Sequence, residues 1–579
     1  MNALTHPAEH NQAQAWTHHH DVVVLGSGAA GFAAATTAAC RGLKVLLVEK
    51  AATFGGTSAV SGGAIWIHGS DQARAAGIED SRAAVRTYLQ KTIGAGFNAE
   101  LIDAYIERGS EALRFLEQNS ELAYVLRPFS PDYYPQEEGA TDRGRALEMV
   151  EYDGRRLGRH FKHLRKPPEG MLLFGGMMVN RVDIQHFLSF KRSAKSLWHC
   201  LKLMARYGRD RISHERGTRL TVGNALIARL ATTAFAKGVE LWLDSQSEAL
   251  VIEQGRVTGL VITRNGQRLR VQARGGVICA TGGFAAGEVA ASQRPDTGSE
   301  HLSMSPATNT GDALKLAEQA QAAVGEGLAA NFFWAPVSQV RRPNGEMERF
   351  PHLVTDRAKP GIIAVNRTGQ RFVNEANSYH CFVQAMQQEG GANAPCWLIA
   401  DAQALNSYGL GLARPKPVDN SNLIEAGYLH RADTPEQLAR QLGIDPNGLV
   451  ETLVRHNTDA LRGVDSAFGK GSNSYNQSLG DPHHQPNPCL APLTKAPWYA
   501  IRIATGDLGS ARGLVTNANA NVLDRQGLPI TGLYAAGNDM NSIMDGTYPG
   551  PGITIGPGLT FGYIAATHIA ECIRTGASH

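Results

Sequence analysis

Residues 545–566 read DGTYPGPGITIGPGLTFGYIAA, a lone tyrosine, Tyr548, among prolines and glycines ahead of an apolar segment of helical character. Backbone without bulky side chains can bring its N–H groups close to a molecule bound at a helix start. The opposite end of the chain indicates what that molecule is. HDVVVLGSGAAGFAAATTAACRGLKVLLVEK contains an apolar run, Val22–Leu25, then Gly26, Gly28 and Gly31 in GxGxxG spacing, an alanine-rich helix, and a second apolar run, Val45–Val48, ending at Glu49. Gly26 permits a tight turn, Gly28 lets backbone approach a pyrophosphate, and Gly31 lets the helix lie close to the sheet. Ser27, Ala29 and Ala30 complete the loop, Glu49 would accept ribose hydroxyls, and Lys50 follows it. The full strand, turn, helix, strand unit predicts a dinucleotide site.

Flavin is favoured over nicotinamide by the next segment, FGGTSAVSGGAIW. Gly55, Gly56, Gly62 and Gly63 flank the hydroxylated residues Thr57, Ser58 and Ser61. Such a loop can wrap a second phosphate face and let a flat ring pass against backbone. It resembles the glycine-rich loop of the flavoprotein superfamily that includes fumarate reductases and ketosteroid dehydrogenases. GVICATGGF (276–284) adds a buried strand and a glycine turn at Ala280, Thr281 and Gly282, and GLYAAGNDM (532–540) adds Gly537, Asn538 and Asp539 for the pyrophosphate and ribityl chain. The expected cofactor is FAD. The resemblance places a histidine in the first loop where the flavin is covalent; GGTSAVSGG has none, so the FAD is expected to be non-covalent.

The elements that must position these residues follow from pattern. A chain of 579 residues exceeds one ordinary core. The fold class expected is α/β: a Rossmann-like FAD-binding domain with a second, α+β catalytic capping domain. The FAD-binding domain is expected over 20–295, with a basic helical insertion at about 155–215; the cap over 296–500; and the rest of the FAD-binding domain over 501–579. Gly217–Val222 and a pair within Val251–Val261 turning at Gly255 are expected as strands of the nucleotide domain, and the last helix from about Ile553.

The chain resembles the 3-ketosteroid Δ1-dehydrogenase family from Asp21 to about Ala570, through VLGSGAAGFAAA, FGGTSAVSGGAIW, SPDYYPQEEGATDRGR, NTGDALKLAEQ, NRTGQRFVNEANSYH, LYAAGNDM and TYPGPGITIGPGLTFGYIAA. The resemblance implies removal of hydrogens from C1 and C2 of a steroid A ring. Tyr548 and the Gly552 N–H would donate to the C3 carbonyl oxygen, Tyr379 would take the C2 proton, and flavin N5 would accept hydride from C1. Tyr134 would favour ionisation of Tyr379, with Tyr133 in its place if the register differs by one. Ile553, Thr554 and Ile555, at the positive end of the last helix, would face the flavin's N1–C2 edge. Arg371 and Glu375 are expected to brace the domain interface; Phe332, Phe333 and Trp334 either line the pocket or pack in the core. Rival functions are a Δ4(5α)-dehydrogenase on the same clamp and a fumarate-type reductase. The latter lacks, in GDLGSARGLVT and GTYPGPG, the histidine and arginine a dicarboxylate needs.

Net charge is +3 and hydrophobic content 43%, which give no basis for nucleic-acid binding. No run of 18 apolar residues and no leader pattern at the N-terminus appears. Seven scattered cysteines argue against a disulfide framework or a metal site and for a reducing cytoplasm. An external electron acceptor, a quinone or carrier protein, is expected. Basic residues outnumber acidic ones between Arg155 and Arg219. A helix over 186–207 would align Phe190, Ala194, Leu197, Leu201 and Met204 in one stripe and Lys191, Lys195, Lys202 and Arg206 on another face. The stripe is expected to pack on the protein's own core; the second reading is peripheral docking on an anionic membrane surface, for which Trp198 is suited.

Overall fold

The structure, a computed structural model, describes residues 15–576 except Arg192, without the side chains of Met171, Arg181 and Leu188. Most of the N-terminal stretch read for a leader lies outside the described residues. His18–Leu25 forms the centre of the nucleotide sheet, paired in parallel with Val45–Val48 on one side and Gln267–Cys279 on the other. Glu240–Trp242 and Pro529–Ala535 extend it in parallel at the two flanks, and Asn521–Leu523 closes an edge antiparallel. Val22–Leu25 and Val45–Val48 are buried throughout, as strands covered on both faces must be. Ser245–Glu253 and Arg256–Arg264 make a hairpin whose turn uses Gly255 at φ +75°. Gly217–Val222, expected in this sheet, contributes only Arg219–Leu220, which pairs with Tyr152–Asp153. From Val222 the chain is helical to Ala236, because Thr221 opens an alanine- and leucine-rich apolar run.

The helix Ala29–Cys40 is alanine-rich because it is pressed between sheet and helix. A Cβ at Gly562, in the final helix Ile555–Thr575, would come within 2.6 Å of the Ala30 carbonyl. Small residues on both sides therefore set the helix spacing. That final helix begins two residues later than expected, at Ile555 after Thr554, because Gly552 takes φ +96° and holds the preceding turn out of helical geometry.

The cap is built on an antiparallel sheet in the order Ile362–Val365, Cys396–Asp401, Trp498–Ile503, His430–Ala432. Successive residues of Ile362–Val365 face opposite sides: Ile362 and Ala364 join Phe382 and Met386, whereas Ile363 and Val365 join Leu438 and Leu449. The sheet thereby seats the helix Tyr379–Gly391 on one face. Trp498–Ile503 belongs to this sheet, and Thr505–Ser510 pairs with His301–Ser303 and Phe332–Trp334, so the chain leaves the cap's strands only after 510.

Arg371 and Glu375 brace the inside of the cap: Arg371 also grips Asp465 at 2.9 Å, and Lys470 Nζ lies 3.7 Å from Glu375. The expected single helix over 186–207 is two, Arg181–Ser189 and Ala194–Asp210. The second starts at Ser193, whose side chain accepts from the Ser196 N–H.

Candidate active site

The cofactor glycines divide into two groups. A Cβ at Gly26, Gly31 or Gly63 would stand 2.2, 1.9 or 2.5 Å from backbone atoms of Ala280, Gly26 and Val222, so the protein's own packing requires glycine there. A Cβ at Gly28 would meet only Ser58 Oγ, at 3.4 Å; at Gly56 it would have only the Gly28 Cα, at 3.9 Å; at Gly62 it would meet nothing within 4 Å. Gly28 and Gly56 adjoin at the start of Ala29–Cys40, a helix with no side-chain cap, where amide dipoles favour a phosphate, and Gly62 stands exposed further along the same loop as Gly56. Ser58 Oγ accepts from the Ala29 N–H at 3.0 Å, Ser61 Oγ accepts from Gly63 N–H at 3.1 Å, and Asn309 links Thr57 to the Gly282 carbonyl. The donor set and open backbone fit a dinucleotide.

Three acidic or basic residues assigned to the cofactor have other tasks as well. Glu49 accepts from Ser27 Oγ at 2.5 Å and from the Ala51 N–H at 2.8 Å, and so clamps the glycine turn. Lys50 turns its ammonium to Thr310 Oγ1 at 2.7 Å and Asp312 at 2.9 Å. Asp539 accepts from the Thr281 N–H, from Thr281 Oγ1 at 2.9 Å and from the Gly283 N–H at 2.9 Å. Its carboxylate thereby shapes the 281–283 turn; burial pushes it up to about 6. Gly537 and Asn538 line, with Phe333, Ile553 and Thr554, a cleft whose lining contains no lysine, arginine or histidine.

Beside that cleft lie four tyrosines from four separate segments. Tyr379 and Tyr548 have ring centroids 5.0 Å apart, and Tyr133 is 5.8 Å from each, stacked on Tyr548 and edge-on to Tyr379. Tyr475 packs on Tyr133 at 4.7 Å, and Phe333 stands edge-on to Tyr548 at 5.7 Å. Phe332 and Trp334, alternate residues of the same strand, face the other way, toward Phe284 and His301. Gly552 packs so tightly on Ala64 that a Cβ would lie 2.4 Å from its carbonyl, and among the described residues none accepts from the Gly552 N–H.

Tyr134 is not in this cluster. The Pro549 carbonyl, next to Tyr548, accepts from the Tyr133 N–H at 2.9 Å, and Asp132 is locked by Trp66 Nε1 and Arg145 at 2.7 Å each. With the extended SPDYY segment so pinned, neighbouring side chains must point apart. Tyr133 enters the cluster, while Tyr134 reaches Cys381 Sγ at 3.3 Å and Ser378 at the start of the Tyr379 helix.

Burial first, then the Tyr133 and Tyr548 phenols, hold Tyr379 well above the ordinary tyrosine value. Burial also raises Tyr548, opposed by hydrogen bonds from Tyr379 and Thr554. Burial likewise raises Tyr133 and Tyr475, and in both the Arg357 charge acts in the opposite direction. Arg357 is 2% exposed and donates to four carbonyls: His352 at 2.7 Å, Leu353 at 2.8 Å, Glu375 at 2.6 Å and Asn377 at 3.1 Å. Its guanidinium also lies 5.0 Å over the Phe382 ring, one turn beyond Tyr379. Asp356, its sequence neighbour, instead pairs with His352 Nδ1 at 2.5 Å, and His352 Nε2 is 2.7 Å from Ser338 Oγ. That serine, histidine and aspartate are 1%, 0% and 2% exposed, so their triad-like order braces the Arg357 loop and presents no nucleophile.

Two buried polar atoms beside the cluster have no partner among the described residues, Tyr475 Oη and His380 Nε2. His380 Nδ1 accepts from the Trp334 N–H at 3.2 Å, and burial lowers the ring to about 3, which keeps it neutral. Tyr475, Arg357 and His380 were not singled out from sequence. Tyr475 stands in the polar stretch GSNSYNQ and Arg357 in a loop, TDRAKP, neither with a diagnostic spacing.

A glycine cradle for a dinucleotide, a neutral cleft and a phenol cluster at its side define an FAD-dependent dehydrogenase. The FAD binding domain family matches residues 21–555, and the chain belongs to it. It is 37% identical to 4-oxocyclohex-2-ene-1-carboxylate 5-dehydrogenase of Sinomonas cyclohexanicum, covering 97% of this chain and 96% of that protein. It is 36% identical to 3-oxosteroid 1-dehydrogenase of Mycolicibacterium smegmatis, covering 95% and 97%. The crystal structure of 3-ketosteroid delta1-dehydrogenase from Sterolibacterium denitrificans with 1,4-androstadiene-3,17-dione superposes with a TM-score of 0.88 at 36% identity, covering 96% of this chain and 100% of that one. Among the described residues no helix is long and apolar enough to cross a membrane.

Proposed function

We propose that this enzyme desaturates the 1,2 bond of a 3-ketosteroid. The observation that carries the reading is the packing of Tyr379 on Tyr548, whose ring meets Phe333 at the edge of a cleft with no cationic lining, shortly ahead of Gly552, whose N–H has no acceptor among the described residues. Tyr548 and the Gly552 N–H hold the ketone oxygen and stabilise enolate-like charge as it grows, ~3 kcal/mol for each donor. Tyr379 receives the proton from the carbon next to the ketone. To do so it must act as the phenolate, its own proton already given up to solvent, and the Tyr133 hydroxyl beside it donates the hydrogen bond that stabilises that phenolate. Negative charge on Tyr133 and Tyr475 is favoured by Arg357. Arg357 thus acts as a positioning residue twice: its charge favours the phenolate, and its bonds to the Glu375 and Asn377 carbonyls fix the chain just ahead of Tyr379. FAD, held by Gly28, Gly56 and Gly62 with Gly537 and Asn538, supplies the hydride acceptor when bound. Reoxidation falls to an external quinone or carrier protein.

The relative named for 4-oxocyclohex-2-ene-1-carboxylate supports a second reading, a monocyclic keto acid. Both substrates lose hydrogens beside a ring ketone, but the acid carries a carboxylate, for which a buried site needs a cation. Arg357 is fully engaged by carbonyls and the cleft lining is neutral, which favours the steroid. The test is anaerobic mixing of the FAD-loaded enzyme with androst-4-ene-3,17-dione and, separately, with 4-oxocyclohexanecarboxylate. Flavin bleaching by the steroid with a 1,2-unsaturated product is expected. A 4,5-unsaturated product from a saturated steroid would instead assign the Δ4(5α) activity, and bleaching by the acid alone would replace the steroid.

A further inference from the structure

The helix Ala194–Asp210 is turned inside out. Its inward face is polar: Ser196, Cys200 and Asp210 are the buried residues. Asp210 accepts from the Thr218 N–H and Oγ1 at 2.8 Å, and Ser196 Oγ is 3.0 Å from His186 Nδ1 in the preceding helix. Asp183, 1% exposed, holds His199 Nε2 and Arg219 Nη1 at 2.8 Å each. The hairpin is thus fastened to the body by hydrogen bonds and ion pairs. Its apolar stripe faces outward, with Trp198 70% exposed and Val182, Ile184, Leu197, Leu201 and Met204 between 42% and 49%. Burial on the protein's own core, expected for this stripe, does not occur. An amphipathic helix normally buries that side, because each exposed apolar Å² costs about 25 cal/mol.

Charge narrows what covers the face. Lys191, Lys195, Lys202 and Arg209 are exposed around the stripe and make no ion pair with a described residue. The nearby acids Asp183 and Asp210 are buried and occupied. A second copy docking this face on itself would bring the lysines together, which is repulsive. A bilayer with anionic headgroups offers an apolar interior under a negative rim, and a tryptophan at that depth suits the interface.

We propose that the hairpin 181–210 seats the enzyme on an anionic lipid surface, Leu197, Trp198 and Leu201 entering the acyl boundary and the four basic side chains lying among headgroups. The test is sedimentation of the full-length, FAD-loaded enzyme with phosphatidylglycerol-containing vesicles and with phosphatidylcholine vesicles, at low and high salt. Pelleting with the anionic vesicles at low salt and release by salt are expected. Lys195→Glu/Lys202→Glu should weaken partitioning by about 30-fold or more, and Trp198→Glu/Leu201→Glu should abolish pelleting, both with flavin spectrum and vesicle-free turnover retained. The proposal is overturned if wild type fails to pellet at low salt, pellets equally on uncharged vesicles, or is matched by either variant. Light scattering that shows a dimer split by Trp198→Glu/Leu201→Glu would assign the face to a second copy instead.

Discussion

Two buried arginines of the cap are stabilised in opposite ways. Arg371 meets carboxylates on both sides, Glu375 at 2.7 Å and Asp465 at 2.9 Å, with Lys470 completing a group of two cations and two anions. Arg357 meets only carbonyl oxygens and the face of Phe382. In the first group the fields cancel beyond contact range, so the network can hold the cap together but cannot influence chemistry at a distance. Carbonyl dipoles stabilise Arg357 without any ion pair in contact with its guanidinium, and its charge reaches Tyr133 and Tyr475 as well as the Asp356 and Glu375 carboxylates. One arginine is a fastening and the other an electrostatic source.

The largest effect is expected outside both, at the group they are supposed to serve differently. Tyr379→Phe should slow flavin reduction by ~10³-fold or more, the upper range for a lost general base, with FAD still bound. Stopped-flow reduction at the wild-type rate would remove the proton acceptor from the cluster and with it the reason for an unpaired cation nearby. Next comes the comparison itself. Arg371→Met should leave Glu375 and Asp465 buried without their partner and lower stability by ~3–5 kcal/mol in denaturant unfolding, yet keep the reduction rate of folded enzyme within about twofold of wild type. Arg357→Met should do the reverse to the rate, slowing reduction about 10-fold near neutrality, since losing a charge that favours the phenolates by on the order of one pKa unit is worth ~1.4 kcal/mol. If both arginines cost stability alone, the distinction between fastening and source fails.

The pH profile separates charge from fit. Burial already places the phenols above their ordinary value of ~10. Because the reaction needs a phenol to have lost its proton, the reduction rate should climb with pH throughout the neutral range. Removing a cation raises the phenols further, so Arg357→Met should move the climb upward by about one to two pH units. Arg357→Lys should recover part of that shift while restoring little of the hydrogen bonding to the Glu375 and Asn377 carbonyls. An unchanged profile with a raised KM would make Arg357 a matter of shape only.

The nucleotide half was legible because its chemistry is local in sequence. Gly26, Gly28 and Gly31 lie within one turn, and strand, helix and strand follow in order, so spacing alone implied the cradle. The side-chain tasks of Lys50 and Asp539 were not legible, since their partners Asp312 and Thr281 lie far away in the chain. The tyrosine cluster was half legible: Tyr379 and Tyr548 follow from motif resemblance. Tyr475 and Arg357 join them only through the packing of the cap loops, where Asn476 Oδ1 accepts from Asn374 Nδ2 at 2.9 Å and Arg357 grips the same 375–377 segment. The outward stripe of Ala194–Asp210 was visible as periodicity, but periodicity does not state which face meets solvent.

The choice between adjacent tyrosines tests the same idea at its smallest scale. Sequence resemblance pointed to Tyr134, with Tyr133 in its place if the register differs by one; the amide bond to the Pro549 carbonyl accompanies a Tyr133 ring packed against Tyr379 and Tyr548, and on that ground we propose Tyr133 for the role. Tyr133→Phe removes the hydroxyl that borders Tyr379 and sits within reach of the Arg357 field, and should slow flavin reduction by about 10-fold or more, the lower end for a group assisting proton transfer. Tyr134→Phe removes the contacts to Cys381 Sγ and to Ser378, neither of them a phenol of the cluster, and should change reduction by less than about twofold. Combining each with Arg357→Met distinguishes coupling from coincidence. If the arginine acts through the phenol, Tyr133→Phe and Arg357→Met should be less than additive, whereas Tyr134→Phe and Arg357→Met should add. A larger loss from Tyr134→Phe than from Tyr133→Phe would assign the support of the Tyr379 phenolate to Tyr134 with its Ser378 and Cys381 contacts, and would remove the reason for Arg357 to act through Tyr133.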